Sequence, residues 1–326
     1  MTWLTRSRCT CMTDEDFAAS IQGQCLIVMD IGGTRIRIAS IEVSEKEVPY
    51  AFEEYSSNLL QETDPIEILR GLLNQYTERN GIHPAAVIIG VPAIIDEDKD
   101  YIIQCNNITS LNGRKIASEL RVKIGIPVYV DHDTKLLLHG EKAGKTLEDN
   151  WVLLGIFFGT GIGADVLLHD KACRLYRNGL ELGHIPFRLN GKKCVCGRHG
   201  CAEAYVNGRV LEEISEDAHI HISKVFQLWG EDSIAGKRLK EFVDNEALLV
   251  TTAITIIEPT HVIIGGGIAA MECYPKGYLE EFVKRQACTT SINENCIISW
   301  AERGDMAGFH GGVSIFKERA ATEKKI

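Results

Sequence analysis

Between His184 and Cys201 the sequence sets one imidazole and three thiols in the order His-x9-Cys-x-Cys-x4-Cys, interleaved with Gly197 and Gly200. Thiolates and a neutral imidazole in this number make a closed tetrahedral set for Zn²⁺. With His184, Cys194, Cys196 and Cys201 all supplied by the chain, no position is left for a reactive water, so the metal organises a loop and does no chemistry. A redox cysteine pair is the competing reading, but Cys-x-Cys lacks the two-residue spacing of that motif. Two glycine turns form the second constellation: Asp30-Ile-Gly-Gly-Thr34 and Gly159-Thr-Gly-Ile-Gly163. A terminal phosphate needs several converging N–H donors, and glycine lets backbone approach that closely. Each turn alone reads equally as a plain hairpin connection. Two of them, each between apolar strands and each carrying a threonine, point to ATP. Gly32, Gly33, Thr34, Gly159, Thr160, Gly161 and Gly163 would then hold phosphate, with Asp30 holding Mg²⁺ through water.

The chain has no Gly-x4-Gly-Lys-[Ser/Thr] loop, which excludes a P-loop enzyme. Gly265-Gly266-Gly267 follows an apolar strand without the spacing of a dinucleotide fingerprint. Its bare backbone would let an adenine and ribose lie flat.

The elements that must position these groups alternate. Cys25 to Met29 and Ile36 to Ile41 read as a hairpin around the first glycine turn. Apolar residues at helical spacing predict a helix over Pro65 to Glu78, followed by a buried strand at Ala86 to Ile89. A helix over Arg114 to Lys123 and a strand at Pro127 to Val130 follow. Val152 to Phe158 and Ala164 to Leu168 flank the second turn, and helices are expected over Lys237 to Ile257 and Gly277 to Gln286. Such alternation predicts an α/β fold with mainly parallel sheets. Val262-Ile-Ile-Gly265 echoes Val87-Ile-Ile-Gly90, which suggests an internal duplication.

A chain of 326 residues is too long for one core and suits two domains with a cleft between them. Hydrophobic content of 45% and charged content of 25% are those of an ordinary globular protein. A net charge of −10 argues against a general nucleic-acid grip. No apolar run approaches the roughly 20 residues a membrane helix needs, and no secretory signal is visible, so a cytoplasmic protein is expected. Residues 1–24 read as a mobile tail, with Met12 as an alternative start. The other cysteines read as buried hydrophobes or tail residues in a reducing compartment.

Taken together, these motifs resemble the ROK family of bacterial sugar kinases and related repressors. The matching segments are Asp30 to Thr34, Gly90-Val-Pro92, Gly159 to Gly163, Glu181-Leu-Gly-His184, Cys194 to Glu203, Gly265 to Gly267 and Gly304 to Gly308. The resemblance implies a two-domain, actin-like (ribonuclease H-like) fold with an interdomain cleft and a zinc loop over 184–203. It places a small domain at 25–132, a larger one at 133–304, and a segment from about 305 to 326 returning to the first. It implies a hexose in the cleft, phosphorylated by ATP on its 6-hydroxyl, with Asp133 as the base and Asp131 as the nearest competitor. Asn107, Glu181, His184 and Glu203 would contact the sugar beside Asp133, and the protein would be a homodimer.

Departures from the family pattern are His132, Lys135, Leu111 and Leu180, all expected near the sugar. Gly90 to Lys99 and Glu181 to Pro186 look most like D-allose kinases, with glucose and N-acetylmannosamine kinases as alternatives. A catalytically weak, sugar-binding regulator is the alternative of another class. The 24 residues before the first strand leave no room for a DNA-reading helix.

Overall fold

The structure, a computed structural model, describes residues 20–169, 179–287 and 296–323. The first half runs β1 (Cys25–Ile31), β2 (Arg35–Glu42), β3 (Tyr50–Ser56), α1 (Pro65–Asn80), β4 (Ala86–Val91), β5 (Ile94–Ile95), β6 (Ile102–Gln104), α2 (Ile116–Ile124), β7 (Val128–His132) and α3 (Asp133–Lys142). The second runs β8 (Val152–Phe158), β9 (Ile162–Leu168), α4 (Gly208–Asp217), α5 (Ile234–Ile257), β10 (His261–Gly265), α6 (Lys276–Gln286), β11 (Ile297–Trp300) and α7 (Ala307–Glu323).

Local sequence explains the boundaries. Asp64 caps α1 by accepting the Ile66 N–H at 2.9 Å, Pro65 opens the helix, and Gly81 closes it at φ +64°. Ser233 caps α5 through the Gly236 N–H at 3.0 Å. β3 is the strand that apolar patterning misses: it alternates exposed and half-buried residues at the sheet edge.

The first sheet has the order β3-β2-β1-β4-β7, and the second β11-β10-β8-β9. In each, a hairpin (β1–β2 or β8–β9) is extended by two parallel strands (β4 and β7, or β10 and β11). The duplication suggested by the repeated tetrapeptide is therefore a duplication of topology.

β1 shows why the first sheet is covered on both faces. Ile27 and Met29 pack with α1 and α2, while Leu26 and Val28 pack with Phe309 and Val313 of α7. Full burial of one such side chain is worth about 1.5–3 kcal/mol. The helix after β11 thus returns to the first sheet.

α3 and α7 cross between the two sheets: Leu136 joins the core with α7, and Leu138 joins the core beneath β8 and β10. Their backbones touch, because a Cβ on Gly140 would lie 1.8 Å from the Ala307 carbonyl oxygen, and one on Gly311 1.8 Å from that of Leu136. Most of the expected tail lies outside the described residues. Of its described end, Ile21 is buried with Leu26 and Val43. Among the described residues no helix is long and apolar enough to cross a membrane.

Candidate functional site

A cleft of about 780 Å³ opens between the two sheets. Both glycine turns border it, at the ends of β1 and β8. The Gly32 N–H closes the first turn onto the Arg35 carbonyl at 2.7 Å, and the Gly159 N–H closes the second onto that of Gly161 at 2.9 Å. Polar residues press on both turns: Asn107 on the first, Glu203 and Thr134 on the second. The Asn107 amide lies 3.1 Å from where a Gly33 Cβ would be. Glu203 Oε2 accepts the Ile162 N–H at 3.0 Å and lies 2.6 Å from a Gly161 Cβ position. Asp30 sits behind the first turn, buried, against Gly308 at the start of α7.

The triple glycine has a packing role as well as a place on the cleft wall. A Cβ on Gly265 would meet that of Ala301 at 2.6 Å. Gly266 has φ +90° and lies against the β8 backbone, 2.2 Å from the Phe158 oxygen by the same measure. Gly267 alone has nothing within 4 Å.

Asp133 lines the cleft at the first residue of α3, its Oδ1 accepting the Thr134 N–H at 2.7 Å. Burial and the nearby charge of Asp30 raise its pKa to about 7, against the opposing pull of the Thr134 N–H and Arg37. Gly90 makes room for it, since a Cβ there would sit 3.2 Å from the Asp133 Cα.

Asp131 is turned away. It is fully buried, 3.2 Å from Lys99 Nζ and 3.4 Å from both Lys135 Nζ and an Arg319 nitrogen. Those charges hold its carboxyl well below the usual carboxylate range despite burial. Lys135 therefore faces this buried cluster rather than the cleft, while His132 lines the cleft with burial lowering its pKa to about 4. Leu180 also borders the cleft, and Leu111 is buried in the first core.

His184, Cys194, Cys196 and Cys201 bring their ligand atoms within 4.8 Å of one another. His184 Nδ1 is 3.6 Å from Cys194 Sγ, and the Cys196 and Cys201 sulfurs are 3.7 Å apart. Tetrahedral Zn²⁺ with Zn–S of about 2.3 Å calls for sulfurs about 3.8 Å apart, so the donor set fits that ion. Burial pushes the Cys196 thiol up, but hydrogen bonds with Arg198, Cys194 and Cys201 together outweigh it and bring the thiol to about 6, toward the thiolate a metal needs. The other His184 nitrogen, Nε2, faces Glu181 Oε2 at 3.8 Å, and both residues line the cleft.

Residues 26–319 match the sequence model of the ROK family. The chain belongs to the ROK family. An N-acetyl-D-glucosamine kinase of Salmonella typhimurium is 24% identical over 261 residues, covering 74% of this chain and 83% of that one. A ROK family glucokinase from Streptomyces griseus, solved with glucose and AMPPNP, superposes with a TM-score of 0.75 at 19% identity. That match covers 89% of this chain and 98% of the glucokinase. A ROK family transcriptional regulator, homologous to the E. coli MLC protein, superposes at 0.77 with 17% identity, covering 93% of this chain and 80% of the regulator. The actin-like fold is thereby shown.

In this ROK chain two cleft residues, Arg37 and Glu141, were not singled out from the sequence. Arg37 of β2 contacts Asp30 and Asp305, and Glu141 of α3 accepts the Glu302 and Arg303 N–H groups at 2.9 Å each. Their partners lie 160 to 270 positions away in the chain or, for Asp30, across a hairpin. The only available signal for Arg37 was its register opposite Asp30.

Proposed function

We propose that this protein is an ATP-dependent kinase that transfers the γ-phosphoryl group to the 6-hydroxyl of a hexose or a 2-acetamido hexose. The observation that carries this reading is Asp133: a carboxylate with a pKa of about 7, in the cleft into which both glycine turns project. A sugar hydroxyl is a poor nucleophile until its proton is accepted, and a base titrating near neutrality suits that task. The Asp133 carboxylate takes the hydroxyl proton as the phosphoryl arrives, and the amides of the two turns face the phosphate oxygens. Mg²⁺, when bound, neutralises phosphate charge, and Asp30 would hold it through water.

Asn107, Glu181, His184 and Glu203 are proposed to bind the sugar hydroxyls. Their positions against both turns and the metal cluster support this, because carboxylates and amides select diols by direction. His184, Cys194, Cys196 and Cys201 would hold Zn²⁺, and a bound ion would fix the His184 ring whose Nε2 lies 3.8 Å from Glu181 Oε2. The matching domain division is 25–132 with the segment from about 305 onward, against 133–304. A cytoplasmic homodimer completes the reading.

D-allose is the proposed hexose, on the Gly90 to Lys99 and Glu181 to Pro186 segments. Glucose, N-acetylmannosamine and N-acetylglucosamine are the competitors, the last because the curated relative is a kinase of that sugar. ADP release with Mg²⁺-ATP over this panel tests the reading. One sugar turning over, with Asp133→Asn down about 10²–10⁴-fold, supports it. No turnover from folded, zinc-loaded protein overturns it.

A further inference from the structure

Arg37 stands where two carboxylates compete for one guanidinium. It lies directly opposite Asp30 in the β1–β2 register, and its Nη2 is 2.6 Å from Asp30 Oδ2. Its Nη1 reaches Asp305, in the turn between β11 and α7. The Arg37–Asp30 contact is nearly dry, with side chains 16% and 4% exposed, whereas Asp305 is 67% exposed. Arg37 and Asp305 both line the cleft beside Thr34, so this pair reaches from the first hairpin to the loop that closes the second sheet. A planar guanidinium spans two acids in this way because its N–H donors form a rigid fork.

A buried carboxylate needs a cation, and Arg37 supplies it to Asp30. A divalent ion held on Asp30 answers the same need, and the two positive charges then repel each other.

We propose that Arg37 is a positioning residue that exchanges partners: it neutralises Asp30 until a nucleotide-borne divalent cation takes that carboxylate, and it is then retained over the phosphates by Asp305. The released Nη2 donates to phosphate oxygens, for which a guanidinium is well shaped. Asp305 is the anchor that keeps the side chain in the cleft during the exchange. This rests on the kinase reading for its nucleotide and on the placement of Asp30, Arg37 and Asp305 for its mechanism.

Removing Arg37 thus has opposite effects on metal binding and on turnover, which a merely structural residue would not produce. Mn²⁺ binding to the full-length protein without nucleotide or sugar, followed by electron paramagnetic resonance, measures the competition for Asp30 free of any phosphate contact. Arg37→Met is expected to lower the Mn²⁺ dissociation constant about 3–10-fold, since a competing cation is gone. In the same variant kcat falls at least about 10-fold at saturating metal, with the sugar KM little changed.

Asp305→Asn is expected to move the other way, weakening Mn²⁺ binding as Arg37 settles on Asp30. Unchanged or weaker Mn²⁺ binding in folded Arg37→Met protein overturns the exchange. Should that variant fail to fold, unchanged or tighter binding in Asp305→Asn does so. Wild-type turnover of a sugar reports on the kinase reading separately, so either idea fails without the other.

Discussion

The two halves of the molecule share a sheet topology and divide the candidate site residues between them. Gly90 of β4 pairs with Asp30, and Gly265 of β10 pairs with Phe157, so the duplicated register sets a buried acid in one half and an aromatic ring in the other. Opposite Asp30 stands Arg37; opposite Phe157 stands Gly163. Beyond the parallel strands the contrast repeats, with Asp133 opening α3 where the second half has Arg303 ahead of α7. Topology, which depends on apolar patterning, has been kept on both sides. Charge has been concentrated in the first half, while the second contributes bare backbone and the Cys/His cluster. Each half still lends a side chain to a turn, Asn107 to the first and Glu203 to the second.

That division can be broken at the helix crossing, where the largest effect is expected. If α3 and α7 are equivalent, Gly140→Ala and Gly311→Ala should each cost about 3 kcal/mol or more, since each puts a methyl into a carbonyl. Chemical denaturation checks this, and one tolerated substitution would end the equivalence.

Next comes the chemistry. Asp133→Asn is expected to lose about 10²–10⁴-fold in kcat, while Arg303→Met at the corresponding place keeps kcat within about threefold. Comparable losses would mean that catalysis is shared between the halves. Stripping the metal with a chelator should lower Tm and weaken sugar binding by about tenfold or more, because His184 then loses its orientation. Calorimetry on stripped and zinc-restored protein reads both.

A subtler test uses pH. As the proposed base, Asp133 would act only when deprotonated, so kcat/KM should fall as pH drops below about 7. Asp30→Asn removes a charge that raises the Asp133 pKa, and the acid limb should move to lower pH even if the plateau is reduced. A fixed limb would assign the titration elsewhere.

The smallest effect lies in the cores. Ser40 and Tyr76 pair hydroxyls at 3.0 Å in the first half, whereas Tyr274 donates to the buried acid Glu246 at 2.7 Å in the second. Burial raises the Glu246 pKa well above normal, so that acid opposes folding increasingly as pH rises past its unfolded value. Glu246→Gln is therefore expected to raise Tm by about 2–4 °C at pH 8 and by less at pH 5.

How much of this was legible followed from distance along the chain. The four candidate metal ligands fall within one short stretch, and the glycine turns are contiguous, so type and spacing singled out both. The helix ends at Asp64 and Gly81 carry their own caps. β3 was hidden because Glu53 and Glu54 sit in a half-exposed edge strand without an apolar run. The Arg37–Asp305 pair was hidden because 268 positions separate its partners and only the fold joins them. The reach of Glu203 to the Ile162 N–H is a backbone contact, which no side-chain pattern can announce.

The crossing of α3 and α7 has a mechanical consequence. At Gly140 against Ala307 and Gly311 against Leu136, main chain meets main chain, with the Leu136, Phe309 and Val313 side chains packed beside the contact. Such a joint is expected to act as a pivot about which the halves swivel while the flanking side chains keep their rotamers. Methyl relaxation dispersion at Leu136 and Val313 would detect rotamer exchange accompanying the swivel, and its presence would refute a smooth pivot.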